Sequence, residues 1–190
     1  KIFFISLILI GVSLSSYAQD IKRIVVGNAD AKISIIAFES MTCSHCANFH
    51  TKIFPKLKKE FLDTGLAKIE FRHFPLDMAA LNASKISQCK NDGSSEILES
   101  LYANQQKWVK GSSIKEANKN LKKFLENQGF KIDFDLCINN KKIEDFVLND
   151  RIIGAKNFNV NSTPTIIINN EKFEKTLNYK NLKKALEKMI

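Results

Sequence analysis

The sequence predicts an α/β fold in which a block of helices is inserted into a β-containing core. Two observations carry this. Short apolar runs rich in β-branched residues stand at 32–38, 67–73 and 165–169, and the long stretch between the second and third is patterned for helices. A third observation locates chemistry in that frame: Cys43-Ser44-His45-Cys46 falls where the first of these runs gives way to a helical pattern.

The elements follow in order. Segments 23–26 and 32–38 read as strands, the second carrying Ile33-Ser34-Ile35-Ile36-Ala37-Phe38. Beyond the cysteines, Cys46, Phe49, Ile53, Leu57 and Phe61 recur at helical spacing and predict one helix over 44–62, kinked at Pro55 because proline has no N–H to donate. Ala67 to His73 alternates Ile69, Phe71 and His73 as a third strand. Helices are expected near 77–91, 94–109, 113–128 and 141–157. A strand over Thr165 to Asn169 then turns into Lys172-Phe173, and a last helix over 179–189 places Leu182, Ala185, Leu186 and Met189 on one face.

The first residues have a different purpose. Lys1 precedes an apolar run from Ile2 to Val12, and the small residues Ser16 and Ala18 frame a cleavage point before Gln19, so 1–18 is expected to be a signal peptide. If the apolar run stretches to Leu14, an uncleaved anchor is the alternative. The remainder, 19–190, is sized for one domain, with its helical insertion at about 76–158. The net charge of +9 comes largely from lysines dispersed over amphipathic segments, such as Lys52, Lys56, Lys58 and Lys59. No aromatic-interleaved basic motif accompanies them, so solvated helix faces are favoured and nucleic acid is excluded as a partner.

Two thiols three positions apart at a helix start can cycle between a dithiol and a disulfide. The unpaired N–H groups and positive dipole end of a helix stabilise a thiolate at Cys43, which becomes the attacking sulfur. Cys46, one turn in and on the apolar face, is the resolving thiol. His45, between them, is expected to lower the Cys43 pKa by a hydrogen bond or positive charge, and Ser44 completes the dipeptide that modulates the pair. A zinc site would need a second closely spaced ligand pair, but Cys89 and Cys137 are isolated and His50 and His73 pair with neither. No metal is expected.

Strand, C-x-x-C, helix, strand, helical block, proline-led hairpin and terminal helix is the order of a thioredoxin-like fold. The chain resembles the DsbA-type periplasmic thiol:disulfide oxidoreductases, whose helical block is inserted into a thioredoxin core. The residues that carry the resemblance are Phe38 to His50 around the cysteines, Phe71-Arg72-His73-Phe74-Pro75-Leu76, and Val160-Asn161-Ser162-Thr163-Pro164-Thr165. The resemblance covers nearly all of 22–190. It implies that Pro164 is a cis-proline facing the cysteines and that the Thr163 backbone pairs with an extended substrate chain. Two departures stand out. Ser44 replaces a frequent proline, and Ala37 stands where many members carry a buried acid, which leaves proton handling at Cys46 to Glu39 or to water. A glutamate is ordinarily exposed.

Cys89 and Cys137 both lie in the helical block. In an oxidising compartment the simplest pairing joins them as a structural disulfide, as some family members do, although four cysteines allow three connectivities. The resemblance implies a monomeric, periplasmic enzyme. It would donate a disulfide from Cys43-Cys46 to unfolded or reduced exported proteins, with no metal or organic cofactor and a quinone-linked membrane redox partner for recycling. The alternatives are a disulfide isomerase or reductase, or a periplasmic chaperone or adaptor with secondary thiols. The short stretch between Gln19 and Lys32 argues against the dimerisation domain that isomerases of this kind usually carry.

Overall fold

Two strands decide where the cysteines stand. β2 (Ile33–Glu39) and β3 (Ala67–His73) pair in parallel, from Ile33 opposite Ala67 to Glu39 opposite His73. Parallel strands need a long crossover, and the helical run that starts at the cysteine motif supplies it. The structure, a computed structural model, describes residues 20–190. The expected signal peptide at 1–18 lies outside the described residues.

β1 (Ile24–Gly27) adds antiparallel to the outer side of β3. On the other side, β4 (Thr165–Ile168) pairs antiparallel with β2, and the short β5 (Glu171–Lys172) closes the edge, giving the order β1-β3-β2-β4-β5. Asn169 and Asn170 make the two-residue turn between β4 and β5 at φ of 47° and 71°, a left-handed conformation that asparagine tolerates. β2 is central and covered on both faces, so nearly all its residues are buried.

The run 44–62 is helical throughout but is not one kinked α-helix. It consists of α1 (Ser44–Asn48), a π-helical turn (Phe49–Ile53), α2 (Phe54–Leu57) and a second π-helical turn (Lys58–Leu62). Pro55 cannot donate the main-chain bond expected of it, and the chain widens directly before it. The face predicted from spacing survives: Cys46, Phe49, Ile53, Leu57 and Phe61 are all buried in one core.

The helical insertion runs from α3 (Met78–Gln88) through α4 (Glu96–Ala103), α5 (Gln105–Trp108), α6 (Ile114–Asn127) and α7 (Phe134–Asn139) to α8 (Lys141–Phe158). Side chains of Asp77, Ser113, Asp133 and Asn140 cap α3, α6, α7 and α8 by accepting a main-chain N–H in the first turn. The helix expected over 94–109 divides at Asn104, whose φ of −120° and ψ of 23° leave helical geometry. α7 is an addition to the expected set, started by its Asp133 cap. At the C-terminus α9 (Tyr179–Leu186) passes into a 3-10 turn over Glu187–Met189, which turns Met189 outward instead of leaving it on the apolar face.

Three contacts fasten the insertion to the sheet and to itself. A Cβ on Gly154 of α8 would stand 2.8 Å from Cε1 of Phe38, so the glycine lets α8 lie directly against that ring. Asp150, fully buried on α8, pairs with Arg23 and accepts the His73 N–H at 3.2 Å, which ties α8 to the β1 and β3 side of the sheet. Cys89 at the end of α3 is disulfide-bonded to Cys137 on α7, their Cα atoms 5.6 Å apart.

Candidate active site: a dithiol at a helix start

Cys43 is the residue that caps the start of α1. Its backbone is extended (φ −76°, ψ 119°), its N–H closes a turn onto Ser40 O at 3.0 Å, and its carbonyl accepts the Ala47 N–H at 3.1 Å. Its sulfur is therefore held where the first free N–H groups of the helix emerge. Cys46 is fully buried against the core, whereas Cys43 is half-buried, and both are free thiols.

The two sulfurs are in opposite electrostatic situations. The Cys43 pKa is lowered to about 5, first by a hydrogen bond from the Cys46 thiol, then by one from the Thr163 side chain and by the N–H groups of Cys46 and His45, against the cost of partial burial. Burial drives the Cys46 thiol far above the ordinary range, reinforced by the hydrogen bond to Cys43 and the charge of Glu39. One sulfur is a thiolate near neutral pH and the other stays protonated. His45 contributes through its main chain: its ring is exposed and lines a groove with Asn48, Thr163 and Pro164, while its N–H reaches the sulfur. Ser44 is also exposed and lines a second groove with Ala47, Thr51 and Tyr102.

Thr163 and Pro164 approach from the loop before β4. The Thr163-Pro164 peptide is cis, and the Cys43 thiol donates to the Thr163 carbonyl at 3.3 Å. The Thr163 hydroxyl is buried and has no hydrogen-bond partner among the described residues, and the Thr163 side chain is one of the groups that lower the Cys43 pKa. Cys43, hydrogen-bonded to Cys46, thus meets the Thr163-Pro164 loop, the His45 ring lies exposed on the groove that this loop also lines, and Ser44 lines the other groove. Cys89 and Cys137 form their bond in the helical insertion.

Three further residues complete the site, and sequence reasoning missed their roles. Gln105, on α5, donates from Nε2 to the carbonyls of both Met41 and Cys43, at 2.8 and 3.0 Å. Asp77 accepts the Thr42 hydroxyl at 2.7 Å while its other oxygen caps α3 at Ala80 N. The helical insertion therefore grips the loop that presents Cys43. His50 is the third: its Nε2 lies 2.8 Å from Oε2 of Glu39, and its ring stacks on Tyr102 with centroids 4.2 Å apart. Its place four positions after Cys46 was the available signal, since that spacing puts two side chains on one helix face. Glu39 itself, expected to be exposed, is buried, and burial raises its pKa against the opposing charge and hydrogen bond of His50.

A dithiol at a helix start, facing a cis-proline loop across a sheet of this order, defines a dithiol protein of thioredoxin fold. The thioredoxin family model matches residues 19–188, and the chain belongs to that family, in its DsbA-type branch. It is similar to the crystal structure of Wolbachia pipientis alpha-DsbA1, with a TM-score of 0.77 and 28% identity over 87% of this chain and 89% of that one. It is also similar to oxidised BdbD from Bacillus subtilis, with a TM-score of 0.71 and 25% identity over 87% and 91%. Among curated proteins it is 28% identical, over 92% of its own length, to a provisionally named protein-disulfide oxidoreductase of Rickettsia prowazekii. The chain spans 40% of the Rickettsia bellii relative and 64% of the Rickettsia prowazekii one. Disulfide bond formation protein D of Bacillus subtilis is 26% identical over 87% of this chain and 76% of that protein.

Proposed function

We propose that this protein is a thiol:disulfide oxidoreductase that donates the Cys43-Cys46 disulfide to reduced protein substrates. The observation that carries the reading is the split between the two sulfurs, one held near pKa 5 at the helix start and one buried and protonated. A stabilised Cys43 thiolate stabilises the reduced form, and a disulfide whose reduced form is stable is a strong oxidant.

In the oxidised protein a substrate thiolate attacks Cys43 Sγ, the Cys43-Cys46 bond breaks, and Cys46 leaves and takes a proton. A second substrate thiolate attacks the substrate sulfur of the mixed disulfide and releases Cys43 as a thiolate. The substrate loses two electrons and the cysteine pair gains them. The exposed main chain beside Thr163 and Pro164 and the two grooves flanking α1 are where an extended substrate would lie.

Substrates of this class are exported or unfolded chains with free thiols, and the reading includes export into an oxidising compartment and recycling by a quinone-linked membrane partner. The Cys89-Cys137 disulfide supports such a compartment. The test is to mix the oxidised protein with a reduced peptide bearing two thiols. Stoichiometric peptide disulfide is expected with the wild-type protein, and none with Cys43→Ser or Cys46→Ser, neither of which can hold the disulfide to be donated. Unoxidised peptide with the wild-type protein would refute it.

A further inference from the structure

Glu39 and His50 are ionisable groups buried beside the cysteines to which the exchange chemistry assigns no task. Glu39 is 3% exposed and His50 6%, and they face each other at 2.8 Å. Two elements bring them to Cys46. Glu39 directly precedes Ser40, whose main-chain N–H donates to the Cys46 sulfur, and His50 follows Cys46 by about one helical turn. Each partner keeps one buried polar atom without a hydrogen bond among the described residues, Oε1 of Glu39 and Nδ1 of His50. Such atoms are costly to leave unpaired, and a proton that comes and goes gives them a use.

The other titratable groups facing the pair are Cys43 and Cys46 from α1 and Tyr102 from α4. His73 lies opposite Glu39 on β3, with its ring bonded to Gln88 at 2.9 Å. Burial favours the protonated forms of Glu39, Cys46 and Tyr102. Cys46 is 0% exposed, so a thiolate formed at that place has no direct contact with water.

We propose that Glu39 and His50 hold one proton beside the cysteine pair and pass it to Cys46 when the disulfide opens and back when it re-forms. The inference rests on the thiol–disulfide reading. When a substrate thiolate displaces Cys46, the S–S bonding pair goes to the Cys46 sulfur, which takes the proton from the pair. Of the two protons released by the substrate thiols, one replaces the proton that the pair gave up and the other goes to solvent. When Cys43 later carries a mixed disulfide, the pair takes the Cys46 proton as that sulfur attacks Cys43, and the electron balance is the reverse of the first step.

The test mixes the reduced full-length mature protein with one equivalent of a chromogenic aromatic disulfide and follows two releases of coloured thiolate. The first reports attack by Cys43 and the second attack by Cys46. With the pair acting, the second rate rises with pH and then levels off as the pair deprotonates. Glu39→Gln slows it by about 100-fold, in the range of a lost general base, and changes the first phase far less. A second rate that climbs tenfold per pH unit from about pH 5 to 9, as direct titration of a strongly raised thiol demands, overturns the proposal. So does a second phase unchanged in Glu39→Gln and His50→Gln. If Glu39→Gln does not fold, His50→Gln and the wild-type profile decide. A wild-type protein with no second phase overturns the thiol–disulfide reading, and the pair with it.

Discussion

The Cys43 sulfur lies 3.3 Å from the carbonyl oxygen of Thr163, 120 positions away in sequence. The side chain of the same residue is one of the groups that bring the Cys43 pKa down to about 5. Titration of the reduced protein by thiolate absorbance is expected to show an inflection near pH 5. Thr163→Val keeps the carbonyl and removes the hydroxyl, and should raise that inflection by about one pH unit, the worth of one hydrogen bond to a charged group. A wild-type inflection in the ordinary thiol range would contradict the placement of the sulfur.

Gln105 holds the carbonyls of Met41 and Cys43 from the helical insertion. Gln105→Ala leaves the buried Met41 carbonyl without that donor and should cost about 1–3 kcal/mol by chemical denaturation. Because the lost bonds position the cysteine loop, exchange with a small disulfide should slow as well. Unchanged stability and unchanged exchange would show that the insertion does not brace the loop.

Gly154 sits where a methyl group would meet the Phe38 ring at 2.8 Å. Gly154→Ala should therefore destabilise the protein by about 1–3 kcal/mol, although alanine is the better helix former, because overpacking against a fixed ring outweighs propensity. A rise in thermal midpoint would show that α8 can shift away from the sheet.

The Cys89-Cys137 bond closes a loop with a sequence separation of 48. Replacing both with serine should lower stability by about 4 kcal/mol in the chain-entropy model. If the bond is only structural, the potential of the Cys43-Cys46 couple in the double variant stays within about 15 mV of wild type, half the change that shifts the exchange equilibrium tenfold. A larger move would assign the second disulfide a tuning role.

Much of this architecture was legible because periodicity reports burial. β2, β3, β4 and the buried face of the run 44–62 follow directly from their apolar spacing. What spacing does not carry is backbone detail set by tertiary contacts. The two π-helical turns around Pro55 keep the apolar face while altering the hydrogen bonding, and no side-chain pattern distinguishes that from a kink. Glu39 illustrates a second limit. A glutamate at a strand end is ordinarily solvated, but β2 is covered on both faces and His50 meets the carboxylate from the next helix. Gln105 was invisible for a related reason: its two bonds reach 64 and 62 positions back to main-chain carbonyls. The cysteine motif was legible from its spacing at a strand-to-helix junction, whereas the Thr163-Pro164 loop was legible only through the resemblance to a family, which encodes its proximity to the cysteines in a way that composition does not.

The most direct test of the central claim is the reduction potential of the Cys43-Cys46 couple, measured in glutathione buffers across pH, with Cys89 and Cys137 followed separately by mass. The Cys43 pKa is lower folded than the ordinary 9.0, so the reduced form loses its thiolate stabilisation as pH falls through about 5 and gains it as pH rises above that value. The potential should therefore fall by about 59 mV per pH unit below that point, where reduction binds two protons, and by about 30 mV above it, where it binds one. At neutral pH the account predicts a value toward the oxidising end of the scale, near about −120 mV. A value near about −270 mV, with no change of slope around pH 5, would contradict a disulfide donor and mark the pair as a reductant.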